Sequence, residues 1–343
     1  MAHAPPLALS ARLDDARLYA HRYVEDRDAI RFIDLPRARH GEVPFLTDGY
    51  LGNPVPVGDI AAEACLAALP DRPVHFIFHS AFCGSTMLAR AFDAPGLAMG
   101  LSEPVLLNDV VGFRRRGAPA AQVARLADLA TRLLARPFGP GEQVVIKPSN
   151  VIASLASLLM ALRPSARAVF LSAPLEVFLV SVAHKGLSCR LWARELLQGF
   201  LREGLVDLGF TDSDLFRQSD LQIAATGWLV QHRLFKQAMA RPDGGRIASL
   251  DSEAMLARPE AAIAAVAAHF GLRADAAQVR AMAQGSAFAR HSKSGQPYSR
   301  DARERDYAKV REAHADEIGK VAIWAREVAR VNGFDLTPSR CLL

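Results

Sequence analysis

The spacing of apolar positions changes near residue 74 of this chain. Before that point DARLYAHRYVED carries apolar residues at helical spacing, and AIRFIDLP reads as a short strand. HGEVPFLTDGYLGNPVPVGD is rich in Gly and Pro and reads as loop, while IAAEACLAALP reads as a short helix. From residue 74, short β-leaning runs alternate with helical stretches. The runs are VHFIFH, GLAMGLS near 96–102, QVVIKPS at 143–149, ARAVFLSAP at 166–174 and GRIASLD at 245–251. Between them lie AAQVARLADLATRLLA, NVIASLASLLMALR and a long helical region from about 175 to 241.

Near-continuous apolar runs separated by helices predict an α/β fold. Its layers are α/β/α, around a central, mostly parallel five-stranded sheet covered on both faces. Crossovers on such sheets are right-handed, and ligands bind at the carboxyl ends of the strands. His79 to Thr86, Lys147 to Asn150 and Ser172 to Pro174 are therefore expected along one edge. Residues 1–70 read as an N-terminal extension packed on the core, 71–280 as the α/β domain, and 281–343 as a C-terminal loop and helix packed on it. In that tail HSKSGQPYSRDARERD, 291–306, is polar and dense in charge. The helix after it carries Ile318, Val321, Trp324, Ala325 and Val328 on one stripe, which predicts packing on the main domain.

Composition mostly excludes. The 343 residues, 50% of them hydrophobic, suffice for one large α/β domain with additions. The longest apolar stretches, such as VIASLASLLMAL, fall short of the ~20 residues needed to span a bilayer. MAHAPPLALSARLDDAR lacks the basic start and apolar run of a cleaved signal peptide. The cysteines Cys65, Cys83, Cys189 and Cys341 form no CxxC pair, so a cytoplasmic protein without a disulfide framework or a zinc site is expected. The net charge of +5 suits a small polyanion. Arg114, Arg115 and Arg116 form the only basic triplet, and few aromatics interleave with basic residues, which argues against a nucleic-acid partner. The oligomeric state is left open.

One stretch carries chemistry. In HFIFHSAFCGSTMLARAF, from His75 to Phe92, an apolar strand runs into a polar turn and then a helix. Backbone N–H groups at a helix start lack intrahelical partners, and the helix dipole adds positive potential there. Such a terminus can hold phosphate without a cationic side chain. His79, Ser80, Cys83, Gly84, Ser85 and Thr86 are the candidate ligands. Against the Walker pattern GxxxxGK[ST], His79 replaces the first Gly and Ser85 replaces Lys, which counts against an ordinary ATPase. Phe82 and Cys83 stand where a nucleotide-binding loop usually carries Lys or Arg.

The segment resembles the 5′-phosphosulfate loop of sulfotransferases. Cys83-Gly84-Ser85-Thr86 sits where that family has Ser-Gly-Thr-Thr, and LSEP, with Glu103, is similar to the Gly-Glu-Pro stretch of bacterial and tyrosylprotein members. VVIKPSN resembles the family strand that ends in Lys and Pro. PSARAVFLSAPLEVFLVSV resembles the stretch that carries 3′-phosphate ligands. GRIASLDSEAMLARPEAAIAAVAAHFGL resembles the strand and helix that follow. The blocks run in family order over residues 74–272. The resemblance implies a P-loop NTPase-like fold and sulfuryl transfer from 3′-phosphoadenosine 5′-phosphosulfate to a small-molecule or peptide hydroxyl, with adenosine 3′,5′-bisphosphate as product and no metal. It implies Glu103 as general base and Lys147 at the leaving or bridging oxygen. The loop residues, with Ser172, Ser181, Lys185, Arg190 and Lys293, would bind the nucleotide. His184, His291 and Ser292 lie in the same basic segments. The chain departs from the pattern at Phe82 and Ser172, where the family places cations. Two other readings stay open: a P-loop small-molecule phosphotransferase using ATP, and a non-catalytic relative that binds an anion or a partner.

Overall fold

The computed structural model of the protein describes residues 9–289 and 299–343. Five parallel strands form the central sheet: β4 (Val74–His79), β5 (Ala98–Ser102), β6 (Gln143–Lys147), β7 (Ala168–Ser172) and β8 (Ile247–Asp251). Their spatial order is β5-β6-β4-β7-β8. All four pairings are parallel. Each strand falls inside one of the five apolar runs, and helices cover both faces. Alternation along the strands serves two cores at once. Phe76, Phe78, Val144 and Ile146 face one core, whereas Ile77, Val145, Val169 and Leu171 face the other. That two-sided burial is why these strands read as continuous apolar runs.

The first core is closed by the helices Val105–Arg115, Ala120–Leu134 and Ala156–Leu162, and by residues before 74. The second is closed by Leu175–His184, much of Gly186–Arg202 and Asp220–Ala240, Pro259–Phe270 and Ala315–Val331. The long region from 175 to 241 is thus several helices, interrupted at 203–211. In the last helix Ile318, Val321, Ala325 and Val328 are buried, and Trp324 stacks on Phe210 at 5.7 Å.

The N-terminal segment corrects two expectations. DARLYAHRYVED forms no α-helix; only its last two residues, Glu25 and Asp26, enter a short 3-10 turn. Leu18–Val24 is strand β1, paired antiparallel with β2 (Ala29–Asp34). The loop stretch 40–59 runs into strand β3 (Pro56–Ala61), which pairs with the other side of β2. Leu18, Tyr19, Ala20 and His21 are all buried, so the strand is covered on both faces. Burial on both faces leaves no two-residue alternation to read, and side-chain packing rather than helical spacing decided the conformation. Arg136, itself buried, ties this sheet to the main body by donating to the carbonyls of Leu13, Asp15 and Leu18.

Candidate functional site

Strand β4 lies in the middle of the sheet, with β6 on one side and β7 on the other. Strand order reverses there, which opens a crevice beyond the carboxyl ends. A cavity of about 750 Å³ occupies that place. Three strand ends feed it: the loop after β4, Glu103 after β5, and Lys147 with Ser149 and Asn150 at the end of β6.

The loop from Ser80 to Gly84 is bent by left-handed backbone at Ala81 (φ 68°), Phe82 (φ 51°) and Gly84 (φ 77°). Left-handed non-glycine residues cost free energy and collect where the surroundings hold them. His79 is one such hold. Its Nδ1 accepts from the Ala81 N–H at 3.1 Å, so Nε2 carries the proton and donates to Pro148 O at 3.0 Å. His79 lines the cavity, yet its two ring nitrogens tie the loop to β6. Gly84 is favoured by its own left-handed conformation at φ 77°, which L side chains rarely adopt. Burial pushes the Cys83 thiol up to about 11, against the pull of Lys147 and of hydrogen bonds from Ser85 and Ser80. The thiol is thus held protonated, and it donates to Leu171 O at 3.3 Å. Ser85 and Thr86 line the cavity from the start of the helix Ser85–Ala91. Ser80 does not line it; its hydroxyl is buried without a partner.

Lys147 and Glu103 meet across neighbouring strands. The Lys147 Nζ donates to Glu103 Oε1, and the Glu103 N–H donates to Lys147 O at 2.6 Å. Lys147 is only 1% exposed, and its ammonium also lies 4.8 Å from the Phe45 ring centroid. Burial lowers the Lys147 pKa, and the Glu103 carboxylate pulls it back up. Glu103 is another left-handed residue, at φ 49°.

The remaining expected residues divide. Lys185 lines the cavity. Ser172, Ser181 and Arg190 do not. Ser172 ends β7 on the side paired with β8. Ser181 is buried, its hydroxyl engaged by Val177 O at 2.9 Å and Tyr307 Oη at 2.6 Å. Arg190 is drawn 3.8 Å from Asp220 on the helix Asp220–Ala240. Trp228, His232 and Phe235 of that helix are core, with Phe235 stacked on Phe170 at 4.0 Å and Trp228 Nε1 donating to Ala173 O. His291, Ser292 and Lys293 lie outside the described residues.

Two segments contribute residues that sequence reasoning missed. The N-terminal loop supplies Phe45, held in place because Leu46 pairs with Ser102 and Val105 through backbone hydrogen bonds. The helix Arg300–Ala313 supplies Arg303, Asp306 and Tyr307. Arg303 forks onto Glu253 at 2.8 and 3.2 Å and lies 4.5 Å from the Tyr307 ring centroid. The charged stretch 291–306 hid this helix start. Ser299, whose side chain accepts from Ala302 N, followed by Asp301, is an N-cap signature that could have disclosed it. Among the described residues no three His, Cys, Asp or Glu side chains gather as a metal site, and no helix is long and apolar enough to cross a membrane.

No family model matches the chain, and no curated protein matches it. Solved structures of sulfotransferase domains do resemble it in backbone path. The sulfotransferase domain from the curacin biosynthetic pathway superposes with a TM-score of 0.46 at 13% identity, covering 78% of this chain and 99% of that one. The sulfotransferase domain from the Synechococcus PCC 7002 olefin synthase gives 0.40 at 12%, covering 78% and 97%. Sulfotransferase STF1 from Mycobacterium tuberculosis H37Rv gives 0.39 at 16%, covering 73% and 78%.

Proposed function

We propose that the cavity is the transfer site of a sulfotransferase-type enzyme acting on a hydroxyl acceptor. The observation that carries this reading is the Lys147–Glu103 pair. An almost fully buried ammonium and a partly open carboxylate stand together at the ends of adjacent strands, on the wall of the cavity that the β4 loop enters. A buried ion pair is weak evidence of stability, because desolvation offsets the attraction. In a cleft it is better explained by chemistry.

Glu103 Oε1 is held by Lys147, and Oε2 has no partner among the described residues. Oε2 is the atom to take the proton of an acceptor hydroxyl. Lys147 orients the carboxylate, and its charge faces the oxygen on which negative charge develops. Phe45, packed on Lys147, keeps water from the ammonium and sharpens its field. Ser85 and Thr86 offer hydroxyls from the loop side of the same cavity. The donor set fits a nucleotide with terminal oxyanions, and 3′-phosphoadenosine 5′-phosphosulfate supplies the sulfuryl group when bound. With Ser172, Ser181 and Arg190 off the cavity wall, contacts to a second phosphate fall to Tyr307, Arg303 and His184.

The test is a calorimetric titration with adenosine 3′,5′-bisphosphate and, separately, with ATP and Mg²⁺, joined to turnover of Glu103→Gln. Micromolar binding of the bisphosphate, retained in Glu103→Gln while sulfuryl transfer falls by at least ~100-fold, is the expected result. Preference for ATP with Mg²⁺ turns the reading to phosphoryl transfer. Undiminished transfer by the variant removes Glu103 from the mechanism.

A further inference from the structure

Among the described residues, Lys147, Lys185 and Arg303 are the lysine and arginine side chains on the cavity wall, and two of them are already matched by carboxylates. Lys147 faces Glu103 and Arg303 faces Glu253. Lys185 has no carboxylate within ion-pair distance among the described residues. Its ammonium instead stands 5.3 Å from the centroid of the Phe82 ring. Phe82 belongs to the β4 loop. Its ring is braced by Phe178 at 5.9 Å and by Trp192 at 5.2 Å, edge to face.

The backbone beneath Lys185 is held as well. Its N–H closes the helix Leu175–His184 onto Ser181 O at 3.3 Å, and Gly186 turns the chain at φ 66° into the next helix. An ammonium on an aromatic face is attracted by the ring quadrupole. The ring takes none of its hydrogen-bond capacity as an acceptor would, so its N–H donors remain available to an oxyanion. The loop has no cation of its own, and this arrangement gives it one from a different helix. Asp306, exposed on the tail helix, is the other unmatched Lys, Arg, Asp or Glu on the wall among the described residues, and it disfavours anions on its own side of the cavity.

We propose that Lys185, seated on Phe82, is the cation that grips a phosphate or sulfate group at the β4 loop. Phe82 acts as a positioning residue and does not touch the anion. In sequence Lys185 follows the stretch that resembles the 3′-phosphate region; the ring contact puts its charge at the loop instead. The inference rests on the reading of this cavity as an anion site, but not on which nucleotide enters it.

The experiment titrates the full chain calorimetrically with pyrophosphate and with adenosine 3′,5′-bisphosphate. Lys185→Met is expected to weaken both by at least ~10-fold, as loss of one charge-assisted hydrogen bond does. Phe82→Leu keeps the charge but frees it, and weakens both by about threefold. Moving the charge into the loop, with Phe82→Lys and Lys185→Met together, restores affinity to within about threefold of the parent. Lys185 is exposed, so its single variant keeps the fold and decides the matter even if the Phe82 variants do not fold. Unchanged affinity in Lys185→Met overturns the proposal, as does failure of a folded double variant to recover. A parent that binds pyrophosphate but not the bisphosphate refutes the sulfuryl-transfer reading while Lys185 is still tested on pyrophosphate. A parent that binds neither overturns the present inference.

Discussion

At the scale of single residues, the unusual feature away from the cavity is a set of buried polar groups without partners. Tyr19 Oη, His21 Nδ1 and both ring nitrogens of His40 are buried and unpaired, and the three rings touch, Tyr19 lying 6.3 Å from His21 and 5.9 Å from His40. A buried imidazole without hydrogen bonds is tolerated only when neutral. Burial, with the Arg37 charge adding to it, lowers the His40 pKa from 6.5 to about 4. The unfolded chain therefore binds a proton in this window that the folded chain does not. The stability held by neutral His40 is complete above pH 6.5, is lost as pH falls, and levels off below about 4. The loss reaches about 3 kcal/mol. Urea unfolding at pH 7 and pH 4.5 measures it, and His40→Phe is expected to flatten the dependence. An equal slope in that variant would assign the acid sensitivity to other groups.

At the scale of elements, the five strands of the central sheet were legible because each is buried on both faces and reads as an apolar run. The turn after β4 was legible from its Gly-Ser-Thr group between an apolar strand and a helix. Local pattern misled where tertiary contacts outvoted it. β1 looked helical because LYAHRYV has no clean alternation, and β3 hid in a segment rich in Gly and Pro. The helix Arg300–Ala313 was hidden by its charge, since Tyr307 alone of its residues is buried. The last helix shows the contrary case, with a clear stripe. Val321 is 5% exposed and Ile323 69%. Val321→Asp should destabilise the protein by about 3 kcal/mol or more, whereas Ile323→Asp should stay within about 0.5 kcal/mol. Thermal melts of the two variants compare these directly. Similar losses in both would mean that this helix packs by another face.

At the scale of the molecule, the three-stranded N-terminal sheet is part of the main core. Phe32, Ile30, Leu46 and Leu51 share one apolar cluster with Phe76, Ile146 and Leu159. The segment also positions Phe45 on Lys147, so it reaches the cavity wall as well as the packing. A chain beginning at residue 71 should expose that cluster, bind a hydrophobic dye and lose its cooperative melt. A sharp transition without dye binding would show instead that residues 71–343 fold alone. Sequence reading placed this segment on the core but gave it no part in the site. Its contribution comes through backbone pairing of Leu46 with Ser102 and Val105, which residue types do not advertise.

The contact between Tyr307 and Ser181 has a consequence for the order in which the cavity is assembled during synthesis. One wall of the cavity is made by residues 299–307, long after β8 has left the ribosome. Translation supplies the sheet, the bent loop and the Lys147–Glu103 pair early, and domains begin to fold from their N-terminal side. A nascent chain therefore passes through a stage in which Lys147 and Glu103 are assembled but open to bulk water, and enclosure comes when the late helix docks.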